Sequence, residues 1–163
     1  MRPGPLTFLA AVFLVSCGYH LAGQSEGVIP PDVHSLTIIA EGEDARPMIP
    51  VFHRHLLAKG REYRIVENAG ADAELRIGRV RESFRPVAFD VTGIAIAYNY
   101  TLRAELALWR AGKRLWSSGL IQVQGDVFAE GGPASIEASR ERVTEDLRKQ
   151  WAREAWSRLS SGF

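Results

Sequence analysis

Between Ile94 and Leu108 the chain alternates with a period of two. Ile94, Ile96, Tyr98, Tyr100, Leu102, Ala104, Leu106 and Leu108 are apolar, and Asn99, Thr101, Arg103 and Glu105 stand between them. Successive side chains of a strand point to opposite faces, so this run reads as a β-strand with one face for a core and one for water. A slip of one residue would invert both. A turn centred on Gly112-Lys113 reads as a glycine-first two-residue loop that sends a second strand back along the first. It pairs residues whose numbers sum to 225, setting Leu102 beside Val123, Ala104 beside Ile121 and Tyr98 beside Val127. Tyr100 then meets Gly125 and Leu106 meets Gly119, large against small. The other face pairs Arg103 with Gln122, Thr101 with Gln124 and Asn99 with Asp126. Two faces that agree under one register predict a long hairpin.

Such a sheet needs a cover. Val143, Leu147, Trp151, Ala155 and Leu159 recur every four residues after Gly131-Gly132-Pro133, with Ala152 and Trp156 beside them and charged residues elsewhere. This spacing predicts a long amphipathic helix laid on the sheet. Upstream, Ser35–Ala40 is a short β-branched strand, and the acidic stretch Glu41-Gly42-Glu43-Asp44 turns the chain. A helix follows with Ile49, Phe52 and Leu56 on one face and Gly60 as its stop, its start blurred by Pro47 and Pro50. Tyr63–Val66 reads as a minor strand ended by Asn68-Ala69-Gly70. In Leu75, Ile77, Val80 and Phe84 the apolar parity changes across Gly78-Arg79, which predicts a β-bulge there. The expected fold is α+β: a mixed or antiparallel sheet of about four strands with two helices packed on one face.

The first residues read as an address. Arg2 precedes the 11-residue apolar stretch Pro5–Val15, too short to span a bilayer and the right length for a secretory signal. Leu14-Val15-Ser16-Cys17 then resembles a bacterial lipobox, with the only cysteine placed to take a thioether-linked diacylglycerol. The chain accordingly divides into a lipoprotein signal peptide (1–16), a lipidated tether (17–34) and one α+β domain (35–163). Gly18 after Cys17, where an Asp resembles an inner-membrane retention signal, favours outer-membrane attachment with the body facing the periplasm.

Chemistry is sparse. One cysteine excludes an intrachain disulfide and any Cys₂ or Cys₄ metal site. With 20 Lys+Arg against 19 Asp+Glu, the charges nearly cancel and give no footprint for nucleic acid. His53 and His55 stand two apart, off any common helical face, so no metal site is expected. Ser117-Ser118-Gly119 lacks a nucleophile elbow, and no phosphate-cradling glycine motif opens a helix. No catalytic residue, metal or cofactor is expected beyond a covalent lipid on Cys17, and the protein reads as a non-enzyme.

Surface character remains. With a bulge at Gly78-Arg79, Arg76, Arg79 and Arg81 share one strand face with Glu82 the only nearby acid, and Arg85 lies just beyond. The stripe is either a solvated face that discourages edge aggregation or a site for phosphate and carboxylate groups. Under the same register Trp109 and Trp116 face each other beside the turn, as a partner contact or as a clamp on the hairpin.

Cys17-Gly18-Tyr19-His20-Leu21-Ala22-Gly23 resembles the start of the LptE family of lipopolysaccharide-assembly lipoproteins. Its members commonly begin with cysteine, glycine, an aromatic residue, histidine, leucine and, one residue later, glycine. Pro30–Ile38 resembles the family's proline-then-first-strand segment, and Glu137–Leu159 its final helix. The resemblance implies an outer-membrane lipoprotein that plugs an LptD-like β-barrel, helps it assemble and assists lipopolysaccharide delivery to the outer leaflet. It also gives the arginine stripe a candidate ligand, the phosphates of lipid A. The competing expectation is a free-standing periplasm-facing lipoprotein that binds a small ligand or another envelope protein.

Overall fold

The computed structural model describes residues 28–59, 63–67, 70–129 and 133–162. In chain order its elements are β1 (Ser35–Ala40), α1 (Met48–Ala58), β2 (Arg64–Ile65), β3 (Ala73–Ile77), β4 (Arg81–Phe89), β5 (Ala95–Arg110), β6 (Lys113–Phe128) and α2 (Pro133–Ser161). A 3₁₀ turn, Glu43–Ala45, follows the acidic stretch. The fold is α+β as expected; of the two expected sheet types, mixed or antiparallel, the sheet is mixed, and it is larger than expected at six strands.

β5 organises the sheet. At 16 residues it spans about 50 Å, longer than any one neighbour on its first edge. β3 and β4 therefore share that edge end to end, and β6 takes the other. Ile77 opposes Leu106 and Arg81 opposes Arg103, four steps against three, so one extra residue sits in Gly78–Val80. That is the expected bulge. β1 adds parallel to β3, and β2 parallel to the first half of β1.

On the inner face Leu102, Ala104, Leu106 and Leu108 are fully buried with Ile121, Leu75 and Ile77. Leu147, Trp151, Ala152, Ala155 and Leu159 of α2 close over them, and Phe52 of α1 meets Trp151 edge-on at 5.9 Å. Trp151 Nε1–H donates to Ala104 O at 3.1 Å, so its polar atom is buried at little cost. The prolines that blurred the start of α1 fall at its N-cap (Pro47) and in its first turn (Pro50), where a missing N–H breaks no helical bond. The expected stop at Gly60 and the segments Asn68-Ala69 and Gly131-Gly132 lie outside the described residues, as do the signal and lipobox with Cys17.

Three departures from expectation concern the start of the body and the long hairpin. Ile29 and Val33 are buried in the core, and Asp32 takes a bidentate bond from Arg110 at 3.1 and 2.6 Å. The folded body thus begins before Ser35, inside the segment read as a tether. The turn of the long hairpin is Ala111-Gly112, both with positive φ (48° and 73°), flanked by Arg110 opposite Lys113. That is the mirror-image turn suited to twisted strands. Finally, the register of 225 holds from Ala97–Phe128 to Glu105–Leu120, but β6 carries one extra residue between Ser117 and Leu120 and another between Arg114 and Trp116. The first lies at Gly119, whose φ of 63° suits a bulge. Leu106 N–H consequently bonds Ser118 Oγ at 2.9 Å instead of lying beside Gly119.

Candidate functional site

The outer face of the sheet, away from both helices, carries the polar row. Arg103 Nε donates to Gln122 Oε1 at 2.7 Å and Asn99 Nδ2 to Asp126 Oδ1 at 3.1 Å, as the register requires. The arginines divide into two groups. Arg76 donates Nε and Nη2 to Glu74 Oε2 at 2.9 and 2.7 Å, and its guanidinium lies 4.5 Å from the centre of the Trp109 ring. Its fork is already occupied. Glu74 is therefore the acid beside the stripe. Glu82, expected there, points inward and accepts the Tyr100 hydroxyl at 2.5 Å.

Arg79 is exposed in the bulge, and Arg81 and Arg85 are exposed along β4. Arg81 lies directly opposite Arg103, and Arg85 opposite Asn99. None of these four arginines forms an ion pair with a described carboxylate. Like charges opposed across two strands repel, and an anion held between guanidinium forks offsets that repulsion. In the sequence Arg103 belongs to the polar row alone. Its pairing with Arg81 follows from two registers at once, and only the bulge makes them visible together.

Trp109 and Trp116 do not form a facing pair. Trp109 opposes Arg114 on the outer face, whereas Trp116 opposes Leu108 and packs against the core. The extra residue of β6 between them turns one ring away from the other. Trp109 Nε1 is buried without a hydrogen-bond partner among the described residues.

Beyond Arg85, along the β4–β5 hairpin and at the end of β6, large apolar side chains are open to solvent. Val87, Phe89, Val91, Ile94, Ile96 and Phe128 are all exposed there, Val91 completely. Phe89 lies opposite Ala95, and Phe128 opposite Ala97 on the outer face. Ile94 and Ile96 carry the inner-face parity, so both sides of the tip are apolar. The loop that ends it is closed by side-chain hydrogen bonds. Asp90 Oδ1 accepts Thr92 Oγ1–H at 2.7 Å, Thr92 N–H at 2.8 Å and Ile94 N–H at 3.0 Å, while Gly93 takes a φ of 82°. The Thr92 hydroxyl bond, then the Ile94 amide, hold the Asp90 carboxyl below its ordinary range. Arg85 stands four residues, about 13 Å, from Phe89. One strand pair thus presents an apolar end and a cationic face, the two surfaces an amphiphile with an anionic head needs.

On the inner side, a polar groove of about 740 Å³ between α1 and α2 is lined by Arg54, Glu82, Tyr100, Arg140, Thr144 and Arg148. Burial, and then Glu82, push the Tyr100 hydroxyl above its usual range, so it stays a donor. With Arg148 3.9 Å from Glu82, this is a lock between sheet and helix. His53 and His55 stand on α1 without a third ligand, and no group of three His, Cys, Asp or Glu among the described residues is placed to hold a metal. No described helix is long and apolar enough to cross a membrane.

No family model and no curated protein sequence matches this chain. Solved structures do. Rare lipoprotein B from Shewanella oneidensis aligns with 75% of this chain and 90% of its own, at a TM-score of 0.59 and 18% identity. Lipoprotein B from Nitrosomonas europaea covers 89% of this chain and 92% of its own, at 0.62 and 16%. A minor lipoprotein from Acinetobacter baumannii covers 82% and 95%, at 0.63 and 10%. At these identities the likeness establishes a shared fold over nearly the whole of each partner chain.

Proposed function

We propose that this protein is an outer-membrane lipoprotein, anchored through Cys17 and facing the periplasm. It plugs an LptD-like β-barrel, helps that barrel assemble, and assists the delivery of lipopolysaccharide to the outer leaflet. The observation that carries the reading is the apolar tip formed by Val87, Phe89, Val91, Ile94, Ile96 and Phe128, which continues the strand that bears Arg81 and Arg85. Lipid A joins phosphates to acyl chains, and a surface with guanidinium forks beside apolar side chains matches both parts. The acceptor groups are Arg79, Arg81, Arg85 and Arg103, with Arg76 excluded by its bond to Glu74. A barrel lumen is polar, and the outer face with its Gln, Asn, Thr and Arg row suits it. The fold shared with bacterial proteins named as lipoproteins agrees with the lipobox at Cys17. The protein acts by binding and positioning, without catalysis or a resident cofactor.

Affinity capture of the tagged full-length protein from detergent-solubilised envelopes of its own host tests the reading. A stoichiometric large β-barrel that stays bound in high salt is the expected result. Recovery of the lipoprotein alone, from cells that express such a barrel, would instead support the free-standing module. The lipid acceptor is tested separately. Replacing Arg81 and Arg103 together by Ala should weaken lipopolysaccharide binding roughly tenfold or more, since each charge-assisted bond contributes about 1.5–3 kcal/mol. The unfolding midpoint should not fall, because the substitution removes a repulsion.

A further inference from the structure

α2 has two unlike halves. Leu147, Trp151, Ala152, Ala155, Trp156 and Leu159 are buried, whereas no residue from Ser135 to Asp146 is. A helical segment that short is marginal without a packed face, because its few backbone bonds barely offset the cost of nucleation. Ser135, Ser139 and Thr144 are weak helix formers, and Thr144 Oγ1–H donates to Arg140 O at 2.8 Å, a bond that competes with the helical ladder. The polar groove of about 740 Å³ separates this half from α1. It rests on the sheet through Val143, against Gly125, and through Arg140, whose guanidinium lies 5.4 Å from the Phe84 ring and 5.9 Å from that of Tyr100.

The surface beneath is apolar. Ile96, Tyr98 and Tyr100 follow one another on the inner face of β5, with Phe84 opposite Tyr100 on β4 and Val127 opposite Tyr98 on β6. Phe84 and Tyr98 stack at 4.5 Å with 6° between their planes. Val127, two residues from Gly125 on the same face, is buried yet stands outside the main core. Through Ile96 the strip is continuous with the exposed tip. β4 pairs only with β5, so the adjacent residues Phe84 and Arg85 lie on the two sides of one sheet border.

We propose that the first half of α2 is a lid, hinged at Leu147 and Arg148, that lifts from this strip to admit an acyl chain of the bound lipid. The chain runs inward from the tip along Ile96, Tyr98 and Val127, while the anionic head stays with the guanidinium groups of β4. Arg148, 3.9 Å from Glu82, fixes the hinge to the sheet. An exposed tip covers one side of a chain. A strip under a lid takes both sides out of water, and the hydrophobic gain grows with the area removed. The inference rests on the lipid reading above and gives its apolar part a place.

The probe is lipopolysaccharide of the host itself, offered to the full-length protein in mild detergent. Amides of 135–146 should exchange about tenfold or more faster than those of 147–159, and lipid should speed exchange further in the first half alone. Gly125→Cys with Val143→Cys fastens the lid reversibly. Val143 Cγ1, where a cysteine Sγ would stand, lies 3.1 Å from a Cβ placed at Gly125, within reach of a disulfide. The oxidised pair should bind lipid about tenfold or more weakly than the same protein reduced. Ala138→Gly, on the exposed side of the lid, should raise the open fraction and the affinity together about fivefold, while the open form stays minor. Equal binding by the oxidised and reduced pair would overturn the lid and leave the lipid reading standing, as would an unchanged affinity in Ala138→Gly. Absence of lipid binding in the parent itself would remove both.

Discussion

Gly125 shows how a single residue sets the contact between helix and sheet. It lies opposite Tyr100 on the inner face of β6, and a Cβ placed there would meet Val143 Cγ1 at 3.1 Å and Leu147 Cδ2 at 3.5 Å. The absence of a side chain is what lets α2 approach β6 closely. Gly125→Ala should cost about 1 kcal/mol by overpacking, and Val143→Ala should cost a similar amount by losing apolar contact. Together they should cost roughly 0.5–1 kcal/mol less than the sum, because the second substitution removes the atom that the first one meets. Urea unfolding of the four proteins in the cycle measures the coupling, and strict additivity would exclude the contact. The pairing of Tyr100 with Gly125 was legible in the sequence from one large and one small residue meeting under a common register. That Tyr100 would also hold Glu82 was not, because the inward turn of Glu82 depends on the extra residue in Gly78–Val80.

Among the elements, α1 and α2 meet through Phe52 and Trp151, and His55 lies half-buried on α1 with its Nε2 buried and unpartnered among the described residues. Burial first, then the charges of Lys59 and Arg153, lower the proton affinity of His55 below the ordinary 6.5. The sign follows from linkage. Below pH 6.5 the unfolded chain takes up a proton that the folded chain resists, so the contribution of His55 is intact above 6.5 and is lost as pH falls below it. Asp32, Asp72 and Asp90 are lowered carboxyls, which lose their contribution only below their ordinary 3.8 and do not enter this window. The thermal midpoint should therefore drop between about pH 7.5 and about pH 5.5, and His55→Leu should reduce that drop. An equal drop in both proteins would place the titration elsewhere. The element scale also marks where sequence patterns stop being informative. Alternation in β5 determined the register of β6 from Leu120 to Phe128, since every position there has one sensible face. Leu115 and Trp116 are adjacent and both apolar, so either parity is acceptable between Lys113 and Gly119. Local twist and the bulge at Gly119 decide it, and Trp116 goes to the core while Leu115 remains exposed.

The whole molecule has two unlike ends. Asp32 and Arg110 join the start of the described chain to the Ala111-Gly112 turn, whereas Val91 lies at the far end of β5, about 50 Å away. The described chain therefore enters the fold at the turn end, opposite the apolar tip. Sequence alternation placed Ile94 and Ile96 in the core because it records which face is apolar and not how far a covering helix reaches. α2 packs on β6 through Val143 and Leu147 near Gly125, and the tip beyond is left bare. A solvent-exposed group of six large apolar side chains lowers solubility without adding to the core, which points to a binding role. Replacing Val91 and Ile94 by Glu should leave the domain folded, with a midpoint within about 2 °C of the parent, because neither side chain is buried. The same variant should lose capture of the barrel partner and of lipopolysaccharide together if the tip is inserted among acyl chains inside the assembled complex. If only lipopolysaccharide binding falls, the tip serves the lipid and the barrel grips another surface. If neither changes while the arginine variant still loses lipid, the apolar end lies outside the acceptor and the cationic face of β4 and β5 acts alone.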